Sequence, residues 1–289
     1  MLYTWLRPDC LVMGYSMEAV RASYFAPANT IAQRFVAARL NGVALPEYPG
    51  PIPPNLEAAY NCQDAAIAIW PDEVAGWKIG RIPQEYVQKL GAQRLAGPIF
   101  RGAVHRSVPG VPVEFAIFVG GFAAVEAEYV FEIARDAPAG KVNWTLEDAS
   151  AIAGRMYVGI ETAGSPLSAI NALGPTVTVS DFGNNAGLIL GPEVRDWRER
   201  TPAQLNCVTF INGKSVGKGG AANVLGGLLE SVRFVAGSCA QRGRPLKAGM
   251  LITTGAVTGI HDIATEQLAR VEFNGIGDIQ CVARPAGKT

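Results

Sequence analysis

The run Val125-Glu126-Ala127-Glu128-Tyr129-Val130-Phe131-Glu132-Ile133 constrains this chain more than any other stretch. Side chains in a strand alternate between its faces with period two. Val125, Ala127, Tyr129, Phe131 and Ile133 therefore share an apolar face, and Glu126, Glu128, Val130 and Glu132 share the other. A half-buried antiparallel strand with an acidic, solvated face satisfies this pattern. A second reading fits too. Glu126 and Glu128 lie roughly 6.5–7 Å apart along such a strand, and at an effective dielectric near 20 they repel by about 2 kcal/mol. A divalent cation reverses that sign, because carboxylate oxygens are the ligands that Mg²⁺ and Mn²⁺ prefer.

The chain is long enough, at 289 residues, for one large domain or one domain with an appendage, and 49% hydrophobic against 17% charged residues makes it globular. Lys plus Arg and Asp plus Glu balance at 25 each, so no basic field exists to collect nucleic acid or anionic lipid. Both are set aside as partners. The 33 glycines and 19 prolines favour many short strands over a helical bundle. Cys10, Cys62, Cys207, Cys239 and Cys281 are odd in number, scattered and never spaced Cys-x-x-Cys, which points to reduced, buried thiols in a cytoplasmic protein. No apolar run reaches the roughly 18–20 residues of a membrane helix. Met1 to Tyr15 lacks the pattern of a secretory signal. No role is assigned to residues 1–16, and Met17 is an alternative start.

Helical periodicity predicts a helix over residues 29–42, capped at Asn29 or Thr30 and stopped by Asn41-Gly42. A proline-rich connector leads to a second helix over 56–69, ended by Pro71. Later helices are expected from Leu146 to about Ile152, capped near Thr145, and from Leu225 to about Gln241. Strands are expected at 75–80, 98–104, 111–119, 125–134, 176–180, 186–190, 206–212 and 249–255. Gly213-Lys214-Ser215 imitates the end of a phosphate loop, but the first glycine of that motif would fall at Val208. A hairpin turning at Asn212-Gly213 explains it better. Gly217-x-Gly219-x-x-Ala222 stands without the βαβ setting that a dinucleotide site needs.

Glu161 interrupts a second apolar run, Tyr157-Val158-Gly159-Ile160-Glu161. Three carboxylates on neighbouring strands form an open-sided oxygen site suited to Mg²⁺. Here the chain resembles the fumarylacetoacetate hydrolase superfamily, in its 2-keto-4-pentenoate hydratase branch, over roughly residues 29–282. Leu56 to Gln63 is similar to the branch's Ala-Tyr-x-x-Gln helix, and Gly76-Trp77-Lys78-Ile79-Gly80 to its Gly-x-Lys-x-Gly strand. Val125-Glu126-Ala127-Glu128 resembles its Ile-Glu-Ala-Glu, and Ile160-Glu161 carries its third metal carboxylate. Ser180 to Gly187 resembles its Asp-Asn-x-x-Asn-x-Gly loop, and Leu246 to Gly255 its closing strand and glycine turn. Departures fall at substrate-shaping positions. Ala124 replaces an arginine, Gln93 to Gly97 replaces a Pro-Asp-Phe-Gly turn, Phe182 follows the loop aspartate, and Gly227-Leu228 replaces a proline.

The resemblance implies an α+β fold, a mixed β-sandwich roll with a small helical N-terminal segment, divided as 1–75 and 76–289. It implies Mg²⁺ or Mn²⁺ on Glu126, Glu128 and Glu161. The first expectation is a hydratase adding water to 2-hydroxypenta-2,4-dienoate or a related 2-oxo acid through a metal-stabilised enolate. A 2-oxo-3-enoate decarboxylase, a sugar-acid dehydratase, an acylpyruvate-type hydrolase and a non-catalytic subunit of a decarboxylase complex stay open. Lys78 would hold the substrate or relay a proton, Asp181 is the second catalytic candidate, and Asn185, Thr254 and Gly255 are substrate-binding candidates. Asp181 and Asn185 are by themselves ordinary turn residues. His105 and His261 are the only histidines, and His105 is kept as the discriminator for hydrolase chemistry. A homo-oligomer is expected, as is usual in the family.

Overall fold

Two β-sheets form the body of the protein in a computed structural model that describes residues 17–287. In chain order, α1 (Met17–Leu40) and α2 (Leu56–Ile69) precede β1 (Val74–Arg81), α3 (Gln84–Leu90), β2 (Arg94–Phe100), β3 (Val104–Arg106) and β4 (Val113–Ile117). Then come β5 (Phe122–Ile133), α4 (Leu146–Ile152), β6 (Ala153–Ser165), α5 (Pro175–Ser180) and β7 (Asn185–Glu193). The chain closes with β8 (Asn206–Ile211), β9 (Lys214–Gly220), α6 (Leu228–Gln241), β10 (Leu251–Thr253), β11 (Ile260–Asp262), β12 (Leu268–Phe273) and β13 (Gly277–Pro285). One sheet of eight strands runs β2-β1-β10-β5-β6-β7-β3, with β11 also paired to β5; the other, of five, runs β4-β13-β12-β8-β9. Parallel and antiparallel pairs are mixed in both sheets. The α+β expectation of two packed sheets with helices at the start is met.

The apolar side of β5 explains why the sheets stay together. Val125, Ala127, Tyr129, Phe131 and Ile133 are buried in one cluster with Val271, Phe273, Ile279 and Cys281 of the five-stranded sheet. The Tyr129 and Phe273 rings meet edge to face at 5.8 Å. Ala32, Val36, Ala66 and Ile67, from the two leading helices, belong to that same cluster. A boundary near residue 75 therefore has no separate core on its N-terminal side.

Several expectations are corrected. Residues 176–180 form α5: Pro175 opens it, its fixed φ suiting the first helical position after Gly174. Thr-Val-Thr-Val alternates and is β-branched, which reads as a strand, but the segment is buried along its whole length, so its alternation separates no inner face from an outer one. α1 extends back to Met17, which puts Asn29 and Thr30 inside it, and α6 starts at Leu228 after Gly227 at φ 87°. The short α3 went unexpected because none of its residues is buried. β12 lies outside the expected strands, although Ala269, Val271 and Phe273 alternate with Arg270 and Glu272. Asn212 and Gly213, both at positive φ, make the hairpin turn between β8 and β9 as expected. Thr145 caps α4 through a capping box with Asp148.

Cys62, Cys207, Cys239 and Cys281 are free and buried, and burial pushes the thiols of Cys207, Cys239 and Cys281 up to about 12. Cys10 and the Met1–Ser16 expectation lie outside the described residues. No helix among the described residues is long and apolar enough to cross a membrane.

Candidate metal centre and its cleft

The pairing of β5 with β6 puts Glu126 opposite Glu161 and Glu128 opposite Gly159. Cross-strand partners share a face, so all three carboxyl groups converge, and one oxygen from each lies within 4.8 Å of the others. The acidic face is not solvated. Glu126 is 3% exposed, and Glu128 and Glu161 are fully buried. Burial followed by the field of Glu161 raises both members of the acidic pair: Glu126 is pushed up to about 7 despite the pull of Lys78, and Glu128 well above the usual carboxylate range.

Glu128 and Glu161 are each held at one oxygen, and all three carboxylates have an oxygen that is unmet. The Gly255 amide donates to Glu128 Oε2 at 2.6 Å, and Asn185 Nδ2 donates to Glu161 Oε1 at 3.0 Å. Glu126 Oε1, Glu128 Oε1 and Glu161 Oε2 are buried with no hydrogen-bond partner. Buried polar atoms are rarely left so. Three unmet carboxylate oxygens close together are a donor set for a hard divalent cation, and the residues present fit one.

Lys78 faces this centre from β1. Its Nζ lies 3.2 Å from Glu161 Oε1 and donates to Asn184 Oδ1 at 2.9 Å. Burial by itself would lower the ammonium's pKa, but Glu161, Glu126 and Glu128 outweigh it and hold the group charged, above the ordinary lysine range. The strand sits close to its neighbours because of glycine. A Cβ at Gly76 would lie 2.0 Å from the Leu251 carbonyl oxygen, and one at Gly97, opposite Lys78, 2.0 Å from that of Phe182.

Residues 181–185 pass over that opening in a strained turn, with Phe182, Gly183 and Asn184 all at φ near +55 to +63°. Asp181 anchors it. Its carboxylate accepts from Arg39 Nε at 2.6 Å, Arg39 Nη2 at 2.9 Å and Ser165 Oγ at 2.6 Å. The same guanidinium donates to the carbonyls of Asn185 and Gly164 and lies over the Phe182 ring. Asp181 is thus engaged at both oxygens, which ties the turn to α1 and β6.

Thr254 is likewise turned to the backbone: it donates to the Tyr129 carbonyl at 3.1 Å and accepts from the Tyr129 amide at 3.2 Å. Gly255 fixes a carboxylate, as does Asn185. Lys78 and Glu126 face a cleft of about 330 Å³, with Asn171, Asn184, Leu225 and Thr254 on its walls. That volume suits a small molecule. His105 is exposed on the short strand β3, and His261 lines a separate outer hollow beside Lys214. Neither lines the cleft. Arg39 and Asn184 were not singled out from the sequence. An asparagine after glycine in a turn is a signal for left-handed backbone, whereas nothing local marks Arg39, 142 residues from its partner.

No family model matches the chain. A 4-oxalocrotonate decarboxylase of Pseudomonas putida is 31% identical over 101 residues, which is 35% of this chain and 38% of that protein. Among solved structures, 4-oxalocrotonate decarboxylase from Pseudomonas putida G7, complexed with magnesium and adipate, superposes with a TM-score of 0.72 at 22% identity, over 91% of this chain and 97% of that one. Fumarylpyruvate hydrolase from Pseudomonas aeruginosa, in complex with Mn²⁺ and pyruvate, gives 0.53 at 15% identity over 73% and 89%. These likenesses show the fold alone, and it is the fold that the sequence motifs implied.

Proposed function

We propose that this protein is a divalent-metal-dependent enzyme acting on a short 2-oxo acid, and that its reaction is the loss of CO₂ from a 2-oxo-3-enoic acid. The observation that carries the reading is the buried triad Glu126, Glu128 and Glu161, each with an unmet oxygen, beside the ammonium of Lys78. Glu126, Glu128 and Glu161 would hold Mg²⁺ or Mn²⁺, which supplies Lewis acidity to a substrate chelating through its carboxylate and 2-oxo oxygen.

The chain's own residues do the rest. Asn185 and the Gly255 amide keep the Glu161 and Glu128 carboxylates aimed inward. Lys78, held by Asn184 and Glu161, places a fixed positive charge where the 2-oxo oxygen gains electrons and has a proton to give to that oxygen. The dry surroundings of the triad strengthen each of these interactions. Decarboxylation is favoured because a decarboxylase matches part of the sequence, over 35% of this chain, and a decarboxylase structure superposes over 91% of it. Hydration of a 2-hydroxy-dienoate is the second reading, supported by the motifs around Lys78 and the acidic pair. Carbon–carbon hydrolysis stands lower, since no histidine lines the cleft to activate water.

The test is product analysis with Mg²⁺ present. Incubation with 2-oxohex-3-enedioate should release CO₂, and 2-hydroxypenta-2,4-dienoate should be hydrated slowly or not at all. Turnover of the dienoate alone would replace decarboxylase by hydratase. Turnover of neither, together with an absence of Mg²⁺ binding, would sink the enzymatic reading.

A further inference from the structure

Glu161 divides its two oxygens between different duties. Oε1 accepts from Asn185 at 3.0 Å and has the Lys78 ammonium at 3.2 Å, whereas Oε2 is buried without a partner. The unmet oxygens of Glu126 and Glu128 complete the donor set beside it. The ammonium thus sits on the oxygen of Glu161 that is already met. Attraction alone does not put it there. All three carboxylates pull on Lys78, and an ammonium with three donors is drawn to buried oxygens that lack a partner. Among those three oxygens it would neutralise the triad and occupy the place of a metal ion.

Asn184 is the group placed to hold it aside. Its Oδ1 accepts from Lys78 Nζ at 2.9 Å, and its Nδ2 donates to Asn171 Oδ1 at 3.0 Å. The amide is fixed in one orientation, because its oxygen meets a group that can only donate and its nitrogen meets an acceptor. Asn184 is buried, and its backbone is left-handed at φ 55°, which asparagine tolerates better than most residues. The turn also walls in the lysine stem: a Cβ at Gly183 would lie 3.4 Å from Lys78 Cδ. Where the ammonium points is therefore decided at its tip. Asn171 stands exposed on the wall of the cleft. We propose that Asn184, oriented by Asn171, is a positioning residue that holds the Lys78 ammonium off the unmet oxygens of the triad and so keeps them free for a divalent cation. The inference rests on the metal-centre reading. It adds that affinity for the ion is set by an amide outside the donor set, and that the competitor is the protein's own lysine.

Calorimetric titration of the full chain with MgCl₂ is the test. Asn184→Gly removes the amide and suits the positive φ. It should weaken Mg²⁺ binding by about tenfold or more, the effect of losing a charge-assisted hydrogen bond. Asn171→Ala takes away only the acceptor that orients the amide, and should weaken binding by about threefold. In a Lys78→Met background no ammonium is left to fall among the carboxylates, so adding Asn184→Gly should change the affinity by less than about twofold. An asparagine that merely supports the turn would weaken binding equally with and without the lysine, and that result overturns the inference. An Asn184→Gly protein that binds Mg²⁺ like the parent overturns it too, while the metal-centre reading stands. If Lys78→Met does not fold, Asn171→Ala decides: unchanged affinity overturns the inference and a threefold loss supports it. An unsubstituted protein that binds no Mg²⁺ overturns this inference and the metal-centre reading together.

Discussion

Glu128 is a carboxyl group with no exposed surface, two acidic neighbours and one oxygen without a partner. Such a group favours the folded state only when something cationic balances it, and Lys78 alone faces three carboxylates. Two expectations follow at this scale. Glu128→Gln keeps a carbonyl oxygen for the Gly255 amide while removing a repelling charge. The metal-free variant should therefore be more stable than the parent by about 1–2 kcal/mol, and its Mg²⁺ affinity should fall by more than about 100-fold. Denaturant melts and calorimetry with MgCl₂ measure both; a variant that binds Mg²⁺ like the parent removes Glu128 from the centre. The second concerns pH. Glu126 ionises near 7 in the folded state, raised from an ordinary value of 4.5. The folded state thus holds the proton more tightly than the unfolded chain, so this group's contribution is fully present below about 4.5 and lost as pH rises to about 7. The metal-free protein should lose stability across that window. Mg²⁺, competing for the same oxygens, should bind more weakly as pH falls below 7 and should release protons on binding. Calorimetry at pH 6.5 in buffers of different ionisation enthalpy reads that release directly.

Helix α1 reaches the site through Arg39. Arg39 holds Asp181, and the turn that Asp181 begins carries Asn184 against Lys78 and Asn185 against Glu161. Removing one partner of a buried pair leaves the other charge uncompensated. Arg39→Met should cost about 3–5 kcal/mol in urea unfolding, and adding Asp181→Asn to it should recover a substantial part. A loss under 1 kcal/mol would show that the turn stands without this anchor. The same turn shows what a sequence can and cannot reveal. Alternation put Glu126 and Glu128 on one face of a strand because period-two burial is a local rule, whereas Glu161 stood out only by interrupting an apolar run and by the family resemblance; the paired register brings the three together. The glycines around Lys78 were readable for a similar reason. The bond between Asp181 and Arg39 was not legible because the two are 142 residues apart, and α5 looked like a strand because its β-branched Thr-Val run alternates although it is buried on every side. Only the three-dimensional structure shows the Thr254 hydroxyl bonded to the backbone of Tyr129. Long-range pairing and uniform burial both erase the periodic signal on which such reading depends.

At the scale of the molecule, the question is whether the helices that precede β1 are an appendage or part of the folding unit. Ala32, Val36, Ala66 and Ile67 pack in the cluster that joins the two sheets, and Ala28, Ile31 and Phe35 pack with Cys62, Leu167, Ile170 and Val177. Gln63 from α2 donates to the carbonyls of Ala96 and Val179, and Arg242 of the segment after α6 pairs with Asp64. A chain beginning at residue 76 would expose these apolar surfaces, strand Asp181 without Arg39 and leave two buried carbonyls without their donor. Each loss is of the order of 1–3 kcal/mol or more, against a total stability of about 5–15 kcal/mol for a typical domain. The fragment 76–289 should therefore fail to fold, while the full chain unfolds in one cooperative transition that Mg²⁺ shifts as a whole. Scanning calorimetry distinguishes the alternatives. Two resolved transitions in the full chain, with only the later one raised by Mg²⁺, would mean that the leading helices melt separately and that the triad, Lys78 and the 181–185 turn hold their arrangement without Arg39.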